Sequence, residues 1–137
     1  MSYVLPFRLR VPSRDEHSLT EHTSISFKFR GLMRLEPDHL YIEWAGTGKV
    51  EEHGLLGNAT DIRTLPLESI ELPLDQIRLM RFLGGWWWPR IVLSAVTLDG
   101  LRVIPSEEDG VVRFYLARSD RATAEALVAA VMQGRGA

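Results

Sequence analysis

The sequence predicts a mainly β domain of antiparallel strands closed by a single C-terminal α-helix. Three observations carry that class. Most of the chain alternates apolar and polar residues at period two. Turn chemistry recurs between the alternating runs, and after Arg118 the apolar spacing changes to that of a helix. The 137 residues are 45% hydrophobic and 25% charged, the composition of one globular unit. A chain of this length buries roughly two-thirds of its unfolded surface, so one core suffices without disulfides or a structural metal.

Residues 3–10 place Tyr3, Leu5, Phe7 and Leu9 on one side and Val4, Pro6, Arg8 and Arg10 on the other. That is a half-buried strand, and Pro6, which lacks a ladder donor, suits an edge. Val11–Glu21 is polar, carries Pro12 and reads as a linker. Ile25, Phe27, Phe29, Met33 and Leu35 then share a row, with Gly31 marking a bend within it. Glu36-Pro37-Asp38-His39 has turn chemistry, and Leu40, Ile42 and Trp44 continue as the second strand of a meander hairpin.

Residues 46–66 hold Gly46, Gly48, Gly54 and Gly57 among polar residues. A connection of this length is expected to be mobile or to contain one short strand. Alternation resumes with Ile70 and Leu72 before Pro73, then Ile77, Leu79, Met80 and Phe82. A helix over 74–83 competes there, and the strand character of its neighbours favours strand. Trp86, Trp87 and Trp88 follow Gly84-Gly85 and precede an apolar strand over Arg90–Leu98. Asp99-Gly100 is a hairpin signal, with Leu101–Ile104 as the partner strand. Pro105–Gly110 forms an acidic turn, and Val112, Phe114 and Leu116 mark the last strand. Ser119 or Asp120 can cap a helix whose Ala124, Leu127, Val128 and Val131 make one apolar stripe, with Gly134 placed to stop it.

Seven meandering strands followed by one helix resemble the layout of bacterial pleckstrin-homology-like domains. The phrases that carry the resemblance are Gly31-Leu32-Met33-Arg34-Leu35 leading to Asp38-His39-Leu40-Tyr41-Ile42, Ile70-Glu71-Leu72-Pro73-Leu74-Asp75-Gln76-Ile77, and Arg118-Ser119-Asp120-Arg121-Ala122. The likeness covers roughly residues 23–133. It implies a PH-like antiparallel sandwich or partly open barrel over 23–137, with residues 1–22 as an extra N-terminal strand and linker in one structural unit. It also implies a binding scaffold. Fold alone assigns no function. Phosphoinositide-binding members resemble one another in a basic cluster at the first hairpin turn, whereas here that turn holds Glu36 and Asp38. Lys28, Arg30 and Arg34, on the outer row of the preceding strand, remain an anion-binding candidate against the plainer role of a solvated face.

Three of the four tryptophans sit in one tripeptide. On an extended segment neighbours alternate faces, so Trp86–Trp88 cannot all point inward. The cluster, flanked by Arg81 and Arg90, is the candidate interface, because Trp is enriched at interface hot spots. The competing account packs the rings on the domain's own end and loops.

Sixteen Lys+Arg against 18 Asp+Glu give a formal net charge of −2, which argues against a nucleic-acid binder. Zero cysteines exclude a disulfide framework, a thiolate metal site and a cysteine nucleophile. His17, His22, His39 and His53 lack metal-site spacing, so no metal or cofactor is expected. No nucleophile elbow or phosphate loop occurs, and catalytic residues are not expected. No apolar run nears the roughly 18 residues of a membrane helix, and the opening lacks a signal-peptide layout. The chain is therefore expected to be soluble and cytoplasmic. The expected role is a non-catalytic interaction module that binds a protein partner or itself through Trp86–Trp88 and Arg90, or through the N-terminal strand. The alternative within binding is attachment to a membrane surface. From another class, a small-ligand carrier or enzyme would use the sandwich interior, with His39 or Glu43 in a polar pocket.

Overall fold

The computed structural model describes residues 3–17, 20–55, 57–84, 88–106 and 110–135. Eight antiparallel strands, β1 (Val4–Leu9), β2 (Arg14–His17), β3 (Glu21–Leu35), β4 (His39–Gly54), β5 (Gly57–Pro73), β6 (Ile77–Gly84), β7 (Pro89–Ala95) and β8 (Val111–Tyr115), precede one helix, α1 (Arg121–Arg135). They form one open sheet in the order β5-β4-β3-β1-β8-β7-β6, with β2 pairing β3 beside this path. The predicted class, mainly β with a single C-terminal helix, is what the chain adopts.

One face of the sheet is the core. Leu5, Phe7 and Leu9 of β1, Met33 of β3, Leu40, Ile42 and Trp44 of β4, Ile91 and Leu93 of β7, and Val112 and Phe114 of β8 are all buried. Their alternation with exposed neighbours in β1 and half-buried ones in β4, β7 and β8 is the period-two rule expressed in space. The helical stripe behaves as its spacing dictates: Ala124, Leu127 and Val131 are fully buried, and α1 lies chiefly against β6. Arg121 anchors the start of α1 by donating to the Gly84 carbonyl at 3.3 Å.

Several local expectations are corrected. The N-terminal strand is neither an addition nor an edge. It pairs β3 from Val4↔Arg34 to Leu9↔Phe29 and meets β8 at Arg8↔Tyr115. Pro6 is accommodated because the β8 pairing is confined to Arg8, so no β8 partner requires the missing N–H. The expected linker 11–21 contains β2, which pairs β3 from Arg14↔Ile25 to His17↔His22. Within 46–66 the chain is mostly strand, because β4 runs unbroken to Gly54 and β5 begins at Gly57. Residues 74–76 form a 3-10 turn and 77–84 a strand, as the neighbouring strands suggested.

The Asp99-Gly100 hairpin does not form. Leu98–Leu101 is a 3-10 turn, and Leu101 and Ile104, three residues apart, are both buried. A strand would have pointed them to opposite faces. A third 3-10 turn, Arg118–Asp120, leads into α1. Gly134 lies inside the last helical turn rather than beyond it.

Candidate binding face

The face opposite the core is where β1 becomes functionally informative. Because β1 lies between β3 and β8, the pairings Arg30↔Arg8, Arg8↔Tyr115 and Tyr115↔Arg90 run as one lateral row across four adjacent strands. All four residues have the opposite strand parity to the buried Phe7, Ile91 and Phe114, so they share the outer face. Neighbouring strands are about 4.8 Å apart, which packs three guanidinium groups and a phenol into a short band.

A second band flanks the first. Arg10, just beyond β1, places its guanidinium carbon 4.2 Å from the Tyr115 ring centroid and 4.6 Å from that of Trp88. Arg113 of β8 shares a small hollow with Arg10 and Tyr115. Lys28, two residues from Arg30 on β3, projects on the same side and is exposed.

Between the bands lies an opening in the sheet. β1 stops at Leu9↔Phe29 and β2 begins at Arg14↔Ile25, so the β3 segment 26–28 has no strand partner on that side. Residues 10–13 cross this gap in no regular structure. The result is a groove of about 1080 Å³ bounded by that crossing segment, by Phe27–Arg30 and by Tyr115–Ser119, with Trp88 at its rim. Arg8, Arg10, Lys28, Arg30 and Arg118 line it, and among the described residues no Asp or Glu does. Phe27 and Phe29 are half-buried and stacked with centroids 6.1 Å apart, so the groove joins an apolar wall to a cationic rim. Asp120 lines a neighbouring hollow with Arg8 and Arg30.

The electrostatics are unbalanced locally and balanced elsewhere. Arg34 pairs with Glu36, Lys49 with Glu51, Arg63 with Asp61 and Arg102 with Asp99. Arg8, Arg10, Lys28 and Arg30 make no ion pair among the described residues. Arg8 and Arg30 instead oppose one another directly across two strands, an arrangement that disfavours the sheet unless an anion intervenes. In water the repulsion is only on the order of 1 kcal/mol, so the fold tolerates it.

The candidate residues read from the sequence divide accordingly. Lys28, Arg30, Arg90 and Trp88 are brought together on this face. Trp88 is 58% exposed, and Arg90 donates to the Trp88 carbonyl at 3.4 Å. Arg81 lies on β6, paired with Val92 two residues beyond Arg90. Arg34 is separate: its guanidinium lies over the Tyr41 ring at 4.7 Å and binds Glu36. Trp86 and Trp87 lie outside the described residues. The sequence reading missed Arg8, Arg10, Arg113 and Tyr115 as members. Their outward alternation was visible, but only the pairing of β1 with β8 joins them to Arg30.

The interior offers no polar site among the described residues, since no polar or charged side chain is buried. His39 bonds to Asp38 at 2.7 Å in the first turn, and Glu43 accepts from Tyr41 Oη at 2.9 Å on the outer face. Neither His39 nor Glu43 therefore stands in a polar interior pocket among the described residues. No group of three His, Cys, Asp or Glu among the described residues is placed to hold a metal ion, and no described helix is long and apolar enough to cross a membrane.

The fold and face thus define an open antiparallel sheet with a helix-covered core and a basic, aromatic outer groove. Comparison of the chain with family models, curated proteins and solved structures finds no match.

Proposed function

We propose that the protein is a non-catalytic binding module whose outer groove takes an acidic segment of a partner polypeptide. The observation that supports this most is the groove that Arg8, Arg10, Lys28 and Arg30 line together with Phe27, Phe29 and Trp88, without a carboxylate among the described residues. Arginine forks suit carboxylates bidentately, and the apolar wall suits the hydrophobic side chains of a peptide rather than a bare inorganic anion. Path order also supports the resemblance to pleckstrin-homology-like scaffolds: β1, β3, β4 and β5 on one side, β6, β7 and β8 on the other, then α1.

A second reading is peripheral attachment to an anionic membrane, favoured by the 58% exposure of Trp88 beside the cations. Fluorescence anisotropy with a labelled Glu- and Leu-containing peptide, beside co-sedimentation with phosphatidylserine vesicles, separates the two. The peptide is expected to bind, and Arg8→Glu with Arg30→Glu to weaken it at least tenfold. Vesicle binding without peptide binding would replace the first reading with the second. Binding to neither would remove both.

A further inference from the structure

We propose that two copies of this chain join their sheets by antiparallel pairing of the β5 edges, on a two-fold axis through Ile62. β5 is the terminal strand of the sheet, bonded to β4 alone. From Gly57 to Leu65 it pairs regularly with β4, without a bulge, and its outer edge presents free backbone donors and acceptors. Nearly all of this stretch is exposed, with Ile62 at 65%. Edge strands are commonly guarded by lysines, bulges or proline. Between Gly57 and Leu65 the strand has no lysine, bulge or proline, and Pro66 and the register shift opposite Trp44 and Gly46 stand beyond it.

The sequence selects the second copy as occupant. A two-fold axis perpendicular to a continuous sheet preserves faces, so residue i must meet a residue of the same parity. Centred on Ile62, the pairing sets Asp61 opposite Arg63 of the other copy and Arg63 opposite Asp61. On the reverse face Thr60 meets Thr64 and Ile62 meets itself. Apolar Ala59 meets Leu65. Every position from Ala59 to Leu65 is matched in kind, and cross-strand β-branched and opposite-charge pairs each favour a sheet. Shifting the axis to Asp61 or Arg63 opposes like charges, and shifting it to Thr64 sets Asp61 against Leu67. The Asp61–Arg63 ion pair within one copy, at 3.0 Å, then becomes one side of a four-charge square.

This surface is independent of the basic groove, which lies on the far side of β4 and β3. The test uses the whole chain. Sedimentation equilibrium across a concentration series is expected to approach twice the 15.5 kDa chain mass. Asp61→Arg is expected to weaken dimerisation at least tenfold with an unchanged circular dichroism spectrum. Adding Arg63→Asp restores it, because the swap returns opposite charges to opposite positions only in this register. The chain has no cysteine, so Ile62→Cys is a clean probe: mild oxidation should link copies through it, whereas Thr60→Cys, offset from its own symmetry mate, should not link. A monomer mass at every concentration, equal cross-linking of the two cysteine variants, or a double swap that fails to restore the dimer would each overturn the proposal.

Discussion

Phe7 and Phe114 meet edge to face, their ring centroids 4.7 Å apart and their planes inclined by 72°. The contact joins β1 to β8 beneath the one rung, Arg8↔Tyr115, that connects the two halves of the sheet. Both rings are essentially buried. Aromatic pairs in this geometry add about 0.5–1.5 kcal/mol beyond the area they bury. They also hold the strands that carry the basic row above them.

Phe114→Ala is therefore expected to cost about 3–5 kcal/mol of stability, read from urea unfolding. Because the same change loosens the seating of β8 on β1, acidic-peptide affinity should fall under conditions where the variant is still folded. An exposed substitution such as Glu125→Gln on α1 should alter neither quantity.

Gly31 is a tighter constraint than a bend requires. A Cβ there would overlap the Glu43 carbonyl and come within 2.7 Å of Phe7 Cζ. Gly31→Ala should destabilise by about 1–3 kcal/mol through overpacking, measured by thermal or denaturant unfolding. At Gly57, where nothing stands within 4 Å but φ is +132°, alanine should cost about 1 kcal/mol, from the backbone alone.

Binding in the groove should be electrostatic in character. Peptide affinity is expected to fall steeply between low and physiological salt, since exposed charges are screened over about 8–10 Å there. Lys28→Gln should reduce that salt dependence along with affinity, whereas Arg34→Gln, already paired with Glu36, should change little. Titrations at several salt concentrations distinguish the two.

Acid should weaken the β3–β4 hairpin from both ends. The hydrogen bond from His39, with its charge, holds the Asp38 carboxyl below its ordinary range. Hydrogen bonding and charge from Lys49 do the same for Glu51. A folded-state pKa below the unfolded value means the unfolded chain binds more protons in acid. The stabilisation is thus fully present above the ordinary carboxylate range, about 4, and is lost as pH falls through the lowered values. Unfolding midpoints followed from pH 6 to pH 2 should decline at the acid end, and Asp38→Asn with Glu51→Gln should flatten that decline. Both carboxylates are exposed, so added salt should shrink the effect.

What could be read beforehand follows from where a face is buried. The α1 stripe and the rows of β3, β4, β7 and β8 were legible because one side of each meets the core. From Gly57 to Thr64, β5 is exposed on both faces, and a strand without a buried side imposes no alternation on its sequence. β2 is hidden for the same reason, its four residues being Arg, Asp, Glu and His. Asp99-Gly100 misled because a local turn signal outweighed the buried spacing of Leu101 and Ile104, which fits a turn and not a strand. The basic row was the least legible of all. Lys28 and Arg30 could be seen as a row on one strand, but their union with Arg8, Tyr115 and Arg90 needed contacts between distant parts of the chain.

The place of β1 in the sheet also sets an order of events. Its first partner, β3, is nearby in sequence, while its second, β8, follows almost the whole chain. The two halves can assemble as local meanders, yet the seam between them must wait for a contact of high sequence separation, which carries the largest loop-closure cost and slows folding. Until β8 docks, the Arg8 side of β1 remains an open edge. The ligand groove is thus assembled in the same late step as the seam, and only chains that have completed the sheet are competent to bind.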